Sequence, residues 1–210
     1  MTADVEATAI VLCGGRTTRF GGDKARASVG GRPVMDRVID VVGALCTGVI
    51  AVTSQDRPDL HLPPGVRVVA DIHPGRGPLG GICTGLRHTP TDLALVVGCD
   101  MPFLNPRVLG LMLDRLTWFD AVVPRHGDGY LEPLHAVYTR GCLPRMEAHL
   151  ASGRLALWDV LQQLNTRYLE EAECRPLDPE LLSFFNLNSP ADLRRAERIA
   201  VGMDWSPNRD

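Results

Sequence analysis

The chain has 210 residues, of which 45% are hydrophobic and 22% charged, so it is long enough to fold around a sizeable core. Its 22 Lys and Arg residues against 25 Asp and Glu residues leave a formal charge of −3, which argues against a nucleic-acid partner. No apolar run approaches the roughly 18 residues needed to cross a bilayer. Acidic residues precede the first apolar run, the reverse of a secretory signal. We therefore expect a cytoplasmic protein with neither a nucleic-acid nor a membrane partner.

The cysteine and histidine patterns predict neither a disulfide framework nor a zinc site. The six cysteines are scattered without a C-x-x-C pair, and the six histidines include no H-E-x-x-H motif. Disulfide frameworks belong mostly to small secreted chains. We therefore expect structural thiols, with Cys13 and Cys99 buried inside apolar runs.

Short apolar runs alternate with amphipathic stretches up to residue 116. The apolar runs predict strands buried on both faces, at residues 7–13, 48–54, 66–70 and 92–99. Between them, residues 33–45 and 105–116 have helical periodicity, and Asn105-Pro106 supplies an N-cap followed by a proline at the first helical position. The alternation predicts a three-layer α/β/α, Rossmann-like fold with a mainly parallel sheet.

The pattern changes after residue 120. Two strand-like runs, 121–124 and 131–139, flank the turn-rich segment His126-Gly127-Asp128-Gly129 and predict an antiparallel hairpin. Helical patterns follow at 143–150 and 155–164, and Ser189-Pro190-Ala191-Asp192 predicts the start of a last helix. We expect residues 1–210 to form one domain with a frayed tail at about 201–210. The aromatic residues expected in the core are Trp118, Phe119 and Trp158.

The loop after the first predicted strand combines glycines with basic residues. Its sequence, LCGGRTTRFGGDK at residues 12–24, lets the backbone approach a ligand at Gly14 and Gly15 and turn N–H groups toward phosphate oxygens. Arg19 and Lys24 can neutralise a polyphosphate. The loop fits neither the Walker A pattern nor the G-x-G-x-x-G fingerprint. It therefore predicts a phosphate-binding loop of another type.

Two further loops follow predicted strands and carry acidic residues. Asp71 ends one strand and is followed by a glycine-rich segment in which Gly80-Gly81 is expected to open a helix over 82–88, where free N–H groups favour anionic ligands. His73, in the same segment, is interpreted as a loop residue. Asp100 ends another strand, and a carboxylate there can hold Mg²⁺ together with substrate phosphates. Ligands of open parallel sheets bind at such carboxyl ends.

Together the three loops resemble the MobA-like nucleotidyltransferase family, whose pattern is L-x-G-G-x-x-x-R-M/F-G-x-D-K, then D-x-x-x-x-x-G-P-L-x-G, then C/G-D-x-P. Within it, the chain is most similar to the molybdenum cofactor guanylyltransferases. Two later segments, EPLHAVY at 132–138 and FFNLNSPADL at 184–193, extend the resemblance to about residues 8–197. The resemblance implies a nucleotidyltransferase fold and an Mg²⁺-dependent enzyme. That enzyme transfers GMP from GTP to the terminal phosphate of the molybdopterin cofactor and releases pyrophosphate.

The resemblance also implies roles for individual residues. Catalysis is expected of Arg19, Lys24 and Asp100, with Asp100 also binding the metal. Nucleotide contacts are expected of Leu12, Cys13, Gly14, Gly15, Lys24, Thr53, Asp71, Gly80 and Asp100. The backbone of residues 12–14 is expected to hold the guanine end. Thr53 stands where the family can carry an asparagine.

Three residues keep two interpretations each. Asn186 and Asn188 point to the same side of an extended chain, and they either hydrogen-bond the pterin acceptor or cap the last helix. Glu132 either assists a second metal or holds the hairpin. No general base is required, because an acceptor phosphate is already ionised at neutral pH.

Other functions remain open on the sequence. One is a transferase of the same fold that uses CTP on the same cofactor, or GTP on another phosphorylated acceptor. A different class is a non-catalytic nucleotide-binding protein, although the charged site residues are all retained. A protein that delivers the cofactor, or a molybdoenzyme that receives the product, is a further expected partner.

Overall fold

The first strand shows how the sequence divides between the two faces of the sheet. The computed structural model describes three stretches of the chain, residues 6–14, 27–54 and 62–202. Every residue of Ala7–Leu12 is buried. Because successive side chains of a strand point to opposite faces, Ala9 and Val11 join one core cluster and Ile10 and Leu12 join the other. This strand therefore lies inside a sheet that is covered on both faces, as its apolar sequence predicts.

Of the nine strands in the described stretches, seven form one mixed sheet. In chain order the nine strands are Ala7–Leu12 (β1), Ser28–Val29 (β2), Arg32–Pro33 (β3), Gly48–Thr53 (β4), Val66–Ala70 (β5), Leu93–Gly98 (β6), Ala121–Arg125 (β7), His135–Thr139 (β8) and Thr166–Glu170 (β9). The sheet has the order β5-β4-β1-β6-β8-β7-β9, while β2 and β3 form a separate two-stranded ribbon. Within this sheet β8 runs antiparallel to both of its neighbours, and the other neighbouring pairs are parallel.

The reversal of β8 determines what meets at one edge of the sheet. The segment before β8 lies at the same edge as the segments that follow the parallel strands β1, β4, β5, β6, β7 and β9. One hydrogen bond shows this contact directly, since the Gly98 N–H at the end of β6 donates to the Leu134 carbonyl just before β8 at 3.0 Å. We call this the carboxyl edge. It is the edge at which parallel sheets bind ligands.

Helices cover both faces of the sheet. The helices are Val34–Gly43 (α1), Gly77–His88 (α2), Pro106–Asp114 (α3), Leu143–Ala151 (α4), Leu157–Leu161 (α5), Glu171–Cys174 (α6) and Pro190–Gly202 (α7), with short 3₁₀ helices at Arg140–Cys142 and Leu182–Phe184. Helices α1, α3 and α7 contribute to one core cluster, and α2, α4 and α5 contribute to the other. Within the described residues, no helix is long and apolar enough to span a membrane.

Helix α2 lies unusually close to the central strand β1 because two of its glycines face that strand. A Cβ atom built on Gly85 would lie 2.5 Å from Cγ2 of Ile10, and one built on Gly81 would lie 3.1 Å from Cδ2 of Leu12. Both strand side chains belong to the core cluster on this face. The glycines therefore let α2 pack directly on the strand that leads to the predicted nucleotide loop.

The predicted fold class is confirmed. The four apolar runs before residue 100 form β1, β4, β5 and β6, all parallel, and β7 pairs with β8 in the expected antiparallel sense. Asn105 caps α3 as predicted, because its side-chain oxygen accepts a hydrogen bond from the Arg107 N–H at 2.9 Å. Periodicity and capping residues were thus sufficient to place most of the elements.

Several element boundaries were predicted wrongly. Helix α2 begins at Gly77 rather than at residue 80. Pro78 is favourable in its first turn, because N–H groups there have no helical partner and proline has no N–H to leave unpaired. Helix α5 is half as long as predicted, and β9 at Thr166–Glu170 was not predicted at all. In β9 only Leu169 is buried, so the strand at the edge of the sheet lacks the apolar pattern of the interior strands.

The prediction that three aromatic residues lie in the core is wrong for two of them. Trp118 is 86% exposed in the loop before β7, and Trp158 is 52% exposed on α5. Phe119 is half-buried and packs against the core. In α5 the inward positions belong to Val160 and Leu161, which leaves Trp158 on the outer side. Local hydrophobicity alone did not distinguish the two sides.

All six cysteines are free thiols. Cys13 is buried as predicted, whereas Cys99 is half-buried at the carboxyl edge. Burial raises the pKa of Cys46 to about 12. That thiol is therefore protonated and unreactive at neutral pH.

Candidate active site

Backbone hydrogen bonds continue past the ends of the central strands and align their carboxyl ends. The Cys13 N–H donates to the Val52 carbonyl at 2.8 Å, and the Cys99 N–H donates to the Leu12 carbonyl at 3.2 Å. The segments after β1 and β6 are therefore neighbours, as the strands themselves are. This places the start of the predicted nucleotide loop, residues 12–14, beside the segment that carries Asp100.

The described start of the nucleotide loop presents backbone rather than side chains. The side chains of Leu12 and Cys13 are buried, so they point into the two cores, whereas Gly14 is exposed. No described atom lies within 4 Å of a Cβ built on Gly14, and its φ is outside the left-handed region. Neither backbone conformation nor packing against the described residues therefore requires glycine here. A ligand lying against the backbone would require it.

Asp100 folds back over the end of its own strand. A Cβ built on Gly98 would lie 2.7 Å from Oδ1 of Asp100, so the glycine makes room for the carboxylate. The Asp100 carbonyl accepts a hydrogen bond from the Leu187 N–H at 2.9 Å, which ties the segment 185–188 to this turn. The carboxylate is partly exposed at the carboxyl edge. It is placed to meet a ligand that approaches from Gly14.

Asp71 has a defined structural role in addition to any role toward a ligand. Its Oδ1 accepts hydrogen bonds from the His73 N–H at 2.9 Å and from the Thr84 hydroxyl at 2.8 Å. Its own N–H donates to the Thr53 carbonyl at 2.7 Å, which extends the pairing of β5 with β4. The carboxylate thus anchors the loop after β5 to α2. It remains half-exposed at the carboxyl edge.

Thr53 and Gly80 are both buried, so neither residue is freely accessible to solvent. Thr53 is 4% exposed at the end of β4. Gly80 lies in the second turn of α2, and a Cβ there would lie 2.9 Å from the His73 carbonyl oxygen and 3.1 Å from Cβ of Arg76. Gly80 therefore allows the loop after Asp71 to pack on the helix. The nucleotide contacts expected of both residues stay predictions.

The segment with the two predicted acceptor-binding asparagines leads into α7. Asn186 is half-buried and donates from Nδ2 to the Phe184 carbonyl at 3.0 Å, whereas Asn188 is exposed. The start of α7 is capped by Ser189, whose Oγ accepts from the Asp192 N–H at 3.2 Å. Ser189 therefore performs the capping. The acceptor role expected of the asparagines stays a prediction.

A charged cluster at the carboxyl edge was not predicted from the sequence. Nε2 of His126 lies 3.0 Å from Oε1 of Glu132, and Nδ1 lies 3.0 Å from Oε1 of Glu171. The other carboxylate oxygen of Glu171, Oε2, accepts a hydrogen bond from Arg175 at 3.0 Å. These contacts agree with the interpretation in which Glu132 holds the hairpin. The sequence signal was the turn His126-Gly127-Asp128-Gly129, but its partner on α6 is 45 residues away.

The environment of this cluster shifts the pKa values of its members. Burial lowers the pKa of His126, but the hydrogen bonds to Glu171 and Glu132 outweigh burial, so its pKa lies above the ordinary value. Burial raises the pKa of Glu132, against the opposing hydrogen bond from His126. Hydrogen bonds from His126 and Arg175 lower the pKa of Glu171. The cluster therefore favours the protonated imidazole more than the surroundings of an ordinary histidine do.

Three predicted site residues cannot be placed. Gly15, Arg19 and Lys24 lie outside the described residues. Within the described part of the chain, no group of three or more His, Cys, Asp or Glu side chains is arranged to hold a metal ion. The described site thus consists of an exposed glycine backbone, Asp71, Asp100 and the neighbouring histidine cluster.

Comparison with known proteins identifies the family. Residues 9–168 match the family described as the MobA-like NTP transferase domain. The chain belongs to this family. The match runs from the third residue of β1 to the third residue of β9, so it covers nearly the whole sheet on which the site is built.

Individual members of the family agree with this assignment over almost the full length. The chain is 37% identical to the molybdenum cofactor guanylyltransferase of Desulfosudis oleivorans over 192 residues, covering 90% of this chain and 94% of that one. It is 36% identical over 196 residues to a protein of Pelotomaculum thermopropionicum named as a probable molybdenum cofactor guanylyltransferase, covering 93% and 94%. The crystal structure of molybdopterin-guanine dinucleotide biosynthesis protein A from Archaeoglobus fulgidus has a TM-score of 0.79 and 30% identity, covering 93% and 100%.

Proposed function

We propose that this protein transfers GMP from GTP to the terminal phosphate of the molybdopterin cofactor, releasing pyrophosphate and forming the guanine dinucleotide cofactor. Membership of the MobA-like family and the names of its relatives support this reaction. One structural observation carries the proposal furthest. The exposed backbone of Gly14 and the carboxylate of Asp100 end adjacent central strands, where a nucleotide can contact both.

The chemistry of the donor set fits a Mg²⁺ ion held mainly by substrate. Mg²⁺ prefers oxygen ligands, retains several waters and is usually bound by one or two carboxylates together with phosphates. Asp100 supplies such a carboxylate at the carboxyl edge, and Gly98 leaves the space it occupies. A Mg²⁺ ion bound by Asp100 and GTP would act as a Lewis acid on the phosphate oxygens.

The residues of the chain contribute chiefly by alignment and charge. A terminal phosphate oxygen of the cofactor attacks the α-phosphorus of GTP, and the bond from that phosphorus to the bridging oxygen of pyrophosphate breaks. The Gly14 backbone orients the nucleotide, and Asp71 and Asp100 limit its position from the neighbouring strands. Arg19 and Lys24, placed by the family motif alone, balance the charge of the leaving pyrophosphate.

Because the attacking phosphate is already ionised, the reaction needs no residue to remove a proton. His126 follows β7 at this edge, and each of its two ring nitrogens contacts a carboxylate. His135 is fully buried, and burial lowers its pKa to about 3. The proposed chemistry is therefore consistent with a site that contains no general base.

Turnover of the purified protein tests the proposal. The protein is incubated with Mg²⁺, molybdopterin cofactor and either GTP, CTP or ATP, and both pyrophosphate and the dinucleotide product are measured, the latter by mass spectrometry. We expect a guanine dinucleotide and a stoichiometric amount of pyrophosphate from GTP. A cytosine dinucleotide would assign the chain to a CTP-using reaction instead. Binding of GTP without any product from the intact cofactor would support a non-catalytic protein.

A further inference from the structure

His126 joins two carboxylates that come from distant parts of the chain. Its two ring nitrogens each lie 3.0 Å from a carboxylate oxygen, Nε2 from Glu132 in the loop before β8 and Nδ1 from Glu171 at the start of α6. Ionised carboxylate oxygens accept hydrogen bonds but cannot donate them. As long as both carboxylates are ionised, both contacts are therefore hydrogen bonds only when both ring nitrogens carry a proton. The geometry is that of an imidazolium between two carboxylates, which we call the His126 clamp.

The clamp is connected to Asp100 through the turn that precedes β8. The Glu132 carbonyl accepts from the His135 N–H at 3.0 Å, which closes the turn, and the Leu134 carbonyl accepts from the Gly98 N–H at 3.0 Å. Gly98 also leaves the space that the carboxylate of Asp100 occupies. The path from Glu132 to Asp100 therefore runs through Leu134 and Gly98.

A second connection runs through the segment that carries the asparagines. The ring of Phe184 packs edge-to-face against His126, with centroids 5.3 Å apart, and against His135 at 4.8 Å. Three residues later, Leu187 donates its N–H to the Asp100 carbonyl at 2.9 Å. Both segments that approach Asp100 from this direction therefore rest on the clamp.

The position of the clamp in the sheet separates it from the nucleotide. The described residues expected to contact the nucleotide lie at the carboxyl ends of β1, β4 and β5 and in α2, and Asp100 follows β6 in the middle of the sheet. The clamp lies on the other side of Asp100, at the ends of β7 and β9 and before β8. Within the proposed reaction, this is the side left for the acceptor.

Resting on the proposed guanylyltransferase function, we propose that protonated His126 is a positioning residue for the phosphorylated acceptor. By holding Glu132 to Glu171, it fixes the turn before β8 and with it the acceptor side of the Asp100 site. Loss of one ring proton replaces one hydrogen bond by a contact between a nitrogen lone pair and a carboxylate. The turn then loosens, and the acceptor binds more weakly while GTP binds as before.

The groups around the clamp determine where this proton is lost. The charged and titratable groups of the two segments that meet at the clamp, residues 125–135 and 166–175, are Arg125, Asp128, Tyr130, Glu132, His135, Arg167, Tyr168, Glu170, Glu171, Glu173, Cys174 and Arg175. Arg125 pairs with Glu170, and Arg175 pairs with Glu171, so these pairs are largely balanced. The two carboxylates in contact with His126 raise its pKa above the ordinary value in spite of burial. The proton is therefore lost at a higher pH than from an ordinary histidine, and the clamp opens as the pH rises through that pKa.

The protonation state is tested by NMR on protein labelled with ¹⁵N in its histidine rings. The His126 signals are assigned by their loss in His126→Gln. We expect both ring nitrogens to be protonated at neutral pH and the ring to titrate above about pH 6.5. In Glu171→Gln the titration should move to lower pH, because one of the two carboxylates is removed. A neutral His126 ring at pH 7 in the wild-type protein would overturn the proposal.

The effect on the reaction is tested by measuring the KM for the molybdopterin cofactor and the affinity for GTP from about pH 6 to about pH 9. We expect the cofactor KM of the wild type to rise about tenfold through the titration of His126, since one charge-assisted hydrogen bond is lost. His126→Gln should have the high KM at every pH, and Glu171→Gln should shift the transition to lower pH. GTP affinity should change by less than about twofold in both variants.

The control and the outcomes separate this proposal from the proposed function. His88→Gln removes a half-buried imidazole in α2 whose Nδ1 bonds to the Thr84 carbonyl of the same helix, and should retain the wild-type profile. If the wild type turns over and His126→Gln has the same cofactor KM and the same pH dependence as the wild type, His126 has no positioning role. If the wild type shows no turnover at any pH, the proposed function itself fails. Unfolding curves at each pH identify any variant that is merely misfolded.

Discussion

The two halves of the carboxyl edge are built in different ways. On the side of β1, β4 and β5, the site consists of backbone that follows buried strands, with Gly14 exposed and α2 drawn close by Gly81 and Gly85. On the side of β7, β8 and β9, the loops are held by side-chain contacts among His126, Glu132 and other charged groups. The strand ends of the first half are aligned by backbone hydrogen bonds, whereas the second half holds its loops by contacts that depend on protonation.

The difference also determines how each half responds to substitution. A backbone site tolerates changes of side chain except where a glycine is needed for ligand approach or close packing. A site supported by ion pairs is sensitive to every charged member and to pH. The predictions below use these expectations to separate the two halves.

The largest expected effect concerns Asp100, at the boundary between the halves. Asp100→Asn keeps the shape of the side chain but removes its charge, so we expect turnover with GTP and Mg²⁺ to fall by about 100- to 1,000-fold. The control is Asp92→Asn, which removes a carboxylate paired with Arg140 just before β6 starts, at the opposite edge. Steady-state rates of pyrophosphate release provide the measurement. Turnover of Asp100→Asn within threefold of the wild type would exclude Asp100 as the metal-binding residue.

The second prediction concerns His135, which is buried in the half supported by side chains. Burial lowers its pKa from 6.5 to about 3, so below pH 6.5 the unfolded chain binds a proton that the folded chain does not. The free energy of unfolding should therefore fall as the pH falls from about 6.5 toward 3. The expected slope is on the order of 1.4 kcal/mol per pH unit, which amounts to several kcal/mol in total.

Urea unfolding at a series of acid pH values measures this slope. In His135→Asn the part of the slope due to this ring should disappear, while His88→Asn should keep it. An equal slope in His135→Asn and the wild type would mean that other groups cause the acid sensitivity.

The third prediction concerns the packing of the backbone half. Gly85→Ala places a methyl group 2.5 Å from Ile10, a buried side chain on the central strand, so we expect the free energy of unfolding to fall by about 1–3 kcal/mol. Gly110→Ala is the matched control, because Gly110 lies inside α3 with no described atom within 4 Å of a Cβ there. It should be neutral or stabilise the protein by up to about 1 kcal/mol. Equal effects of the two substitutions would contradict the close packing of α2 on β1.

The sequence predicted the backbone half far better than the half supported by side chains. Buried parallel strands leave long apolar runs, and glycine-rich loops directly after them are visible in the sequence, as at residues 12–15. His126 and Glu171 are 45 residues apart, and their contact depends on β7 and β9 being neighbours. Since β9 carries one buried residue and was not predicted, nothing in the sequence brought these two side chains together.

Other errors have the same physical origin. The helix start at Gly77 was missed because the turn after Asp71 is stabilised by contacts with α2 itself, including the bond from Thr84 to Asp71. The exposure of Trp118 depends on which side of the chain the sheet covers, which its immediate neighbours do not reveal. Tertiary contacts decided these positions, whereas periodicity decided the strands.

Titration calorimetry of GTP with Mg²⁺ on the wild type and Gly14→Ala tests the central claim most directly, namely that the backbone after β1 binds the nucleotide. A methyl group at this position meets no described atom of the protein, so its unfolding free energy should stay within about 0.5 kcal/mol of the wild type. We predict that GTP affinity nevertheless falls at least about tenfold, because the added methyl occupies the space of the ligand. Unchanged GTP affinity in a stably folded Gly14→Ala would contradict the account.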